Sequence, residues 1–91
     1  FLDYAAVKAA LPMSAAIELM ADALSKYSAG SVTQPLRSII RPTSESGLLG
    51  SMPCHVGGDG LAGFGLKVMV LKPDNPARNL PLHVGVVMVF D

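Results

Sequence analysis

Residues 48–71 read LLGSMPCHVGGDGLAGFGLKVMVL, and this stretch decides the fold. It contains two apolar runs of strand length, residues 48–56 and 61–71. Between them lies the glycine-rich segment 57–60, whose residues accept the backbone conformations of a turn. Two strand-like runs joined by a short turn segment predict a β-hairpin.

Two further strand-like runs flank this hairpin, at residues 36–41 and 82–90. They are separated from it by residues 44–47 and 73–76, which are again rich in turn-forming types. The segment 44–47 is expected to close a second hairpin. The sequence therefore predicts four strands.

Two helices are predicted before the strands. Asp3 is expected to cap a short helix that ends near Pro12, and Ser14 to cap a longer one that ends at Gly30. The longer helix carries an apolar stripe at spacings of three and four residues, formed by Ile17, Met20, Leu24 and Tyr27.

The strand segments 66–71 and 84–90 are apolar on both faces, unlike those of a sheet with one face in water. A second layer is therefore expected on each face: the helices on one, and a partner subunit or the rest of a longer chain on the other. The predicted fold class is α+β, with two N-terminal helices packed on a mixed, largely antiparallel β-sheet that joins a partner subunit.

Composition excludes several classes of protein. Of the 91 residues 51% are hydrophobic and seven Lys/Arg balance seven Asp/Glu, without a basic run that could follow a nucleic acid backbone. The apolar runs are far shorter than the roughly 20 residues of a membrane-spanning helix. The N-terminus lacks the features of a secretory signal, and the single cysteine cannot form an internal disulfide. These features predict a cytoplasmic protein.

The ends of the chain suggest a longer parent protein. The sequence starts without methionine and ends at Asp91 directly after an apolar run, whereas natural domain boundaries are usually polar. We therefore expect residues 1–91 to be part of a larger domain.

Three residues are candidates for ligand binding. Arg37 stands at the entry to the first predicted strand, where it could grip a carboxylate or be a solvated edge residue. Lys67 lies among apolar residues in a strand that is predicted to be buried, so its ammonium must reach water, pair with a carboxylate or bind an anionic ligand. His83 could be a hydrogen-bond donor or acid in a pocket, or a structural residue.

Other motifs carry no predicted chemistry. Cys54 and His55 are adjacent and lie on opposite strand faces, so they are poorly placed as nucleophile and base. One cysteine and two histidines do not suggest a metal site. The glycines of residues 57–60 and 63–65 lack the strand, turn and helix order of a phosphate loop, and are predicted to serve turns and close packing.

Taken together, five short segments resemble the N-terminal part of the ornithine cyclodeaminase and μ-crystallin family. They are Pro35-Leu36-Arg37, residues 47–53 (GLLGSMP), Gly65-Leu66-Lys67, residues 75–81 (NPARNLP) and residues 83–91 (HVGVVMVFD). The resemblance implies a two-domain parent in which residues 1–91 form the N-terminal segment of the substrate-binding and dimerisation domain. A Rossmann domain that is absent from this chain would bind NAD or NADP, so no cofactor is expected for this segment alone.

The resemblance also implies the roles of residues. Arg37 and Lys67 would hold the carboxylate of a small amino or imino acid, and His83 and Met52 would lie near the pocket. The family's dimers join their sheets, which implies a homodimer.

The resemblance also limits the prediction. The Rossmann glycines, the aspartate of cyclodeaminases and a further carboxylate-binding arginine would follow Asp91, so no catalytic residue is assigned and the segment alone is expected to be inactive. Gly50 stands where ornithine cyclodeaminases carry a glutamate for the substrate amine. This favours the μ-crystallin and alanine dehydrogenase branches, with a ketimine reductase or alanine dehydrogenase-like reaction. The alternatives are a cyclodeaminase-type lyase and a non-catalytic binding or dimerisation module.

Overall fold

The structure is a computed structural model that describes residues 1–60 and 62–91, so the predicted strand start at Leu61 lies outside the described residues. The chain divides into two compact units, Phe1–Ser31 and Val32–Asp91. The first unit is helical and the second contains the sheet.

The helical unit consists of α1 (Tyr4–Ala10) and α2 (Met13–Ser28). Asp3 caps α1 as predicted, because its carboxylate accepts a hydrogen bond from the Ala6 backbone N–H at 2.9 Å. No single described helix is long and apolar enough to cross a membrane; α1 and α2 meet the length and composition criteria only together, across a 78° bend.

The start of α2 differs from the prediction. Pro12 is the N-cap residue and has extended backbone angles, and Ser14 is already the second helical residue. The prediction that Ser14 caps this helix was wrong because it weighed only the hydroxyl. A proline just before the first turn loses nothing by lacking an N–H, so the helix can begin directly after it. The predicted stop is confirmed: Gly30 follows the last turn with a φ of +83°.

The second unit is a five-stranded sheet whose pairings are all antiparallel among the described residues. Its strands are β1 (Val32–Thr33), β2 (Ser38–Ile40), β3 (Leu48–Val56), β4 (Gly63–Leu71) and β5 (His83–Phe90). Their order is β1-β3-β4-β5, and β2 also pairs with β3. The predicted α+β class is confirmed, as is the antiparallel character of the sheet.

Two strands depart from the sequence prediction. β1 was missed because it has only two residues, Val32 and Thr33, and is defined by its pairing with the end of β3. β2 covers only Ser38–Ile40 of the predicted segment 36–41. Pro35 and Pro42 bracket that segment, and proline cannot donate a backbone hydrogen bond to a neighbouring strand.

The connection from β4 to β5 contains a short 3₁₀ helix, Pro76–Arg78, which ends at Asn79 in the left-handed conformation with a φ of 57°. Side chains tie this connection to the loop between β2 and β3. The Ser46 hydroxyl donates to the Asp74 carboxylate, and Lys72 pairs with Glu45. The two loops are thereby held together at one end of the sheet.

The described chain has little interior of its own. Gly50 is the one buried residue among those described, and large apolar side chains of β5 are exposed, Val84 by 56% and Val89 by 80%. β5 is hydrogen-bonded to β4 alone within the described sheet, so its other edge is open. Exposed apolar surface of this extent on an edge strand favours association with another protein surface.

Candidate functional site

The sheet register brings the sequence candidates to one face. Met52 of β3 lies opposite Lys67 of β4, and Lys67 lies opposite Val87 of β5. Residues directly opposite in antiparallel strands project from the same face. Met52, Lys67 and Val87 therefore form one row across three strands.

Arg37 lies near this row, directly before β2. The first pair between β2 and β3 joins Ser38 to Ser51, so the Arg37 backbone is next to the part of β3 that contains Met52. Neighbouring strands are about 4.8 Å apart, which places the backbones of Arg37 and Lys67 roughly 10 Å from each other. Two side chains of this length can converge on a small anion between them.

The electrostatics of this face favour an anion. Arg37 and Lys67 are both exposed, and neither forms an ion pair with any described residue. No acidic residue lies in β1 to β5 over their described ranges. A carboxylate at the sheet face would meet two free cations and no repelling charge from the strands.

The exposure of Lys67 corrects the prediction that it sits in a buried strand. β4 is hydrogen-bonded on both sides, but its side chains at Phe64 and Lys67 are exposed within the described chain. The apolar neighbours in sequence reflect a strand whose backbone is central, which does not by itself bury each side chain. The Lys67 ammonium is hydrated here and needs no internal partner.

His83 begins β5 and lies opposite Leu71, so it shares the face of Lys67. Its Nε2 atom is 3.4 Å from the sulfur of Met69, which follows Lys67 by two positions on β4. The sequence analysis missed Met69. Alternation along the strand could have identified it, since residues two apart in a strand project from the same face.

Glycines shape the surface next to the cationic row. Gly50 and Gly85 flank Met69 in the adjacent row across the sheet. A Cβ at Gly50 would stand 3.2 Å from the Ile39 Cδ1, 3.6 Å from the Met69 Cγ and 3.8 Å from the Met52 Cε. The side chains of Ile39, Met52 and Met69 therefore close over Gly50 and form an apolar patch beside Lys67.

The remaining sequence candidates lie elsewhere. Cys54 and His55 project from opposite faces of β3, as predicted, and the His55 ring stacks at a tilt on Phe64 with 4.6 Å between centroids. No group of three or more potential metal ligands occurs in the part of the chain that the structure describes. Gly63 and Gly65 are strand residues, and a Cβ at Gly63 would lie 2.6 Å from the Phe90 carbonyl oxygen.

A pocket of about 200 Å³ lies at the end of the sheet where the two loops meet. Three of its four strand residues, Ile40, Leu49 and Val70, alternate with residues of the cationic face, so the pocket lies mainly on the opposite face. It contains neither Arg37 nor Lys67. We therefore assign the candidate site to the charged face, because Lys67 has no ion pair among the described residues, whereas Lys72 of the pocket is paired with Glu45.

Comparison with profiles of protein families shows which family the chain belongs to. A profile of the ornithine cyclodeaminase/mu-crystallin family matches residues 1–91. The chain belongs to this family. Comparison with curated protein sequences gives no significant match.

The fold of the chain also matches part of a solved structure. Δ(1)-pyrroline-2-carboxylate reductase from Thermococcus litoralis, solved in complex with NADH and L-proline, is 25% identical to the chain with a TM-score of 0.81. The match covers 92% of this chain and 27% of that one, so the chain spans little more than a quarter of the reductase. The fold of the chain is therefore that of part of this reductase.

Proposed function

We propose that this chain is the N-terminal segment of the substrate-binding and dimerisation domain of an NAD(P)-dependent oxidoreductase that acts on a small amino or imino acid. The observation that carries the proposal is the cross-strand pair of Met52 and Lys67, with Arg37 directly before β2 on the other side of β3. Two cations without an ion pair among the described residues thereby stand near an apolar side chain. An amino or imino acid matches this arrangement, because such a molecule has one carboxylate and a short hydrocarbon part.

The two cations have distinct tasks in this proposal. The Arg37 guanidinium can donate two parallel hydrogen bonds to the carboxylate oxygens in a planar, bidentate geometry, whereas the Lys67 ammonium acts as a compact charge that donates one strong hydrogen bond. Together they fix the carboxylate and therefore the position of the α-carbon attached to it. Orientation of this kind lowers the entropic part of the activation barrier.

Met52 and His83 complete the proposed substrate pocket. Met52 lies opposite Lys67 and offers a flexible apolar surface to the hydrocarbon part of the substrate. His83 lies on the same face and can exchange a hydrogen bond with a polar atom of the ligand.

The described residues do not form a dinucleotide site. Such a site needs a glycine turn between a strand and a helix whose N-terminal N–H groups face the phosphates. Here Gly63 and Gly65 lie within β4, and strand follows strand. We propose that NAD or NADP, which supplies hydride to the family's reductases, is held by a Rossmann domain elsewhere in the parent protein. Residues 1–91 then contribute substrate binding, and the segment alone is inactive.

The dimer is proposed on the basis of β5. This strand is apolar on both faces, largely exposed, and open along one edge within the described sheet. A second subunit that covers this strand would remove apolar surface from water and protect an edge that is prone to aggregation. We propose a homodimer in which β5 is part of the interface.

The test is Lys67→Met in the full-length protein, assayed by NADH oxidation with Δ(1)-pyrroline-2-carboxylate. A hydrogen bond to a charged group contributes about 1.5–3 kcal/mol, which corresponds to a loss in kcat/KM of about 10- to 150-fold. Lys72→Met is the matched control, because Lys72 directly follows the same strand but lines the pocket on the opposite face. Its kcat/KM should stay near that of the wild type.

Equal losses in the two lysine variants, or no loss in Lys67→Met, would refute the assignment of the carboxylate site. Other reaction products would support one of the alternative functions. Ammonia release without net NADH consumption would identify a cyclodeaminase-type lyase. A dimeric full-length protein that neither binds nucleotide nor turns over any imino acid would be a binding or dimerisation module.

A further inference from the structure

His83 and Met69 are diagonal neighbours on one face of the sheet, and their side chains are in contact. His83 is exposed at the start of β5, where its ring could extend into solvent, but its Nε2 atom lies 3.4 Å from the Met69 sulfur. Met69 is itself half-buried, and its Cγ packs against the position above Gly50. The ring of His83 is thus held against a side chain that the sheet already fixes.

The residue beside this contact on β5 is Gly85, which has no side chain to compete with the ring for the sheet face. Gly85 is opposite Met69 and two positions from His83, so it occupies the same face without a side chain. A Cβ there would stand 2.8 Å from the Val68 carbonyl oxygen and 3.3 Å from the Met69 Cα. The strands approach too closely at this point for any other residue to fit without movement.

The chemistry of the contact favours one tautomer of the His83 ring. A thioether sulfur accepts hydrogen bonds but has no proton to donate. The contact is therefore a hydrogen bond when Nε2 carries the proton, and in the neutral ring this leaves Nδ1 as an acceptor. An acceptor next to a carboxylate site can receive the N–H of a bound amino or imino acid.

We propose that Met69 is a positioning residue that holds His83 over the substrate face through Nε2, so that His83 presents an acceptor, and not a proton donor, to the nitrogen of the bound amino or imino acid. This inference rests on the proposed function for its ligand. The contact between the two side chains does not depend on that function and can be tested separately.

The first test is spectroscopic and needs no ligand. In full-length protein labelled at methionine methyl groups, the Met69 methyl resonance should show a nuclear Overhauser contact to the His83 ring and should shift in His83→Gln, which removes the ring current. The Met88 methyl resonance is the control, because Met88 lies on the opposite face of β5 from His83. A Met69 resonance that is identical in both proteins would overturn the positioning role.

The second test is a double-mutant cycle on the inhibition constant of L-proline. Met69→Leu keeps the volume of the side chain but removes the sulfur acceptor, and should weaken L-proline by about two- to tenfold. In the His83→Gln background the same substitution should have no further effect, since Met69 acts through the ring. Met88→Leu should change neither value.

Tetrahydrofuran-2-carboxylate distinguishes the acceptor role from general packing. It keeps the carboxylate and the ring size of L-proline but has an oxygen in place of the N–H group. Its inhibition constant should be equal in wild type and Met69→Leu; an equal loss for both ligands would overturn the acceptor role. If wild-type protein does not bind L-proline, the proposed function fails, and the methyl resonances alone decide whether Met69 positions His83.

Discussion

Gly50 and Gly85 stand on either side of Met69 in one row of the sheet. Replacing each of these glycines with alanine is expected to have opposite effects on stability. In Gly85→Ala the new methyl group would lie 2.8 Å from the Val68 carbonyl oxygen and 3.3 Å from the Met69 Cα. Both contacts involve backbone, which cannot rotate away. Forcing an additional methyl group into a packed site costs about 1–3 kcal/mol.

Gly50→Ala adds the same methyl group to the same row of the sheet. Its shortest contact is 3.2 Å to Ile39 Cδ1, the far end of a flexible side chain, and the next are 3.6 Å and 3.8 Å to methionine atoms. These side chains can adjust by a few tenths of an ångström. Alanine in a strand also gains about 0.5–1 kcal/mol over glycine because the unfolded chain has less freedom to lose. We expect Gly50→Ala to be as stable as the wild type or slightly more stable.

Scanning calorimetry of the full-length variants measures the difference. One kcal/mol shifts the unfolding midpoint by about 2–4 °C for a domain of 150–250 residues, so Gly85→Ala should lower the midpoint by about 2–12 °C. Gly50→Ala should remain within roughly 3 °C of the wild type on the same scale. The packing argument is refuted if Gly85→Ala is as stable as Gly50→Ala, or if the order of the two is reversed.

Three further predictions concern local structure. Asp3→Ala should remove the cap of α1 at a cost of about 1 kcal/mol and accelerate amide hydrogen exchange at Ala6; unchanged exchange would mean that the cap is not formed. Asn79→Val should lower the unfolding midpoint, since a β-branched residue in the left-handed conformation costs about 1–2 kcal/mol, whereas Asn79→Gly should not. Lys72→Met should cost no more than about 1 kcal/mol, and this cost should vanish in high salt, because the pair with Glu45 is at the surface.

Local patterns predicted most of the secondary structure. The strand β3 has the bounds that its sequence suggested, and the turn segments fall between strands that pair as neighbours. The cap of α1 and the end of α2 were also readable, because a carboxylate before a helix and a glycine after it act within one turn of chain. These features depend on neighbours in sequence.

The prediction errors arose where contacts between residues distant in sequence determine the structure. β1 is a strand because two residues pair with the far end of β3, and no propensity of Val32 or Thr33 alone specifies that partner. The burial of Lys67 was overestimated for a similar reason. An apolar neighbourhood in sequence does not reveal which strand positions are covered by another layer.

The candidate site combines both kinds of information. Residue type and the family resemblance singled out Arg37, Met52, Lys67 and His83, and their roles as ligands of a substrate stay predictions. Alternation alone could place Lys67 and Met69 on one face, because they belong to one strand. It could not relate them to residues of other strands, since a shift of one residue in pairing reverses the faces.

The sequence by itself determined the class of fold, the bounds of most elements, the family, and the absence of strand-borne acidic charge. Only the tertiary structure decided that Met52, Lys67 and Val87 share a row and that His83 meets Met69. The physical reason is that element formation depends on short-range sterics and hydrogen bonds, which the local sequence encodes. Which side chains from different strands lie next to one another depends on register, and register is set jointly by the pairing of the whole sheet.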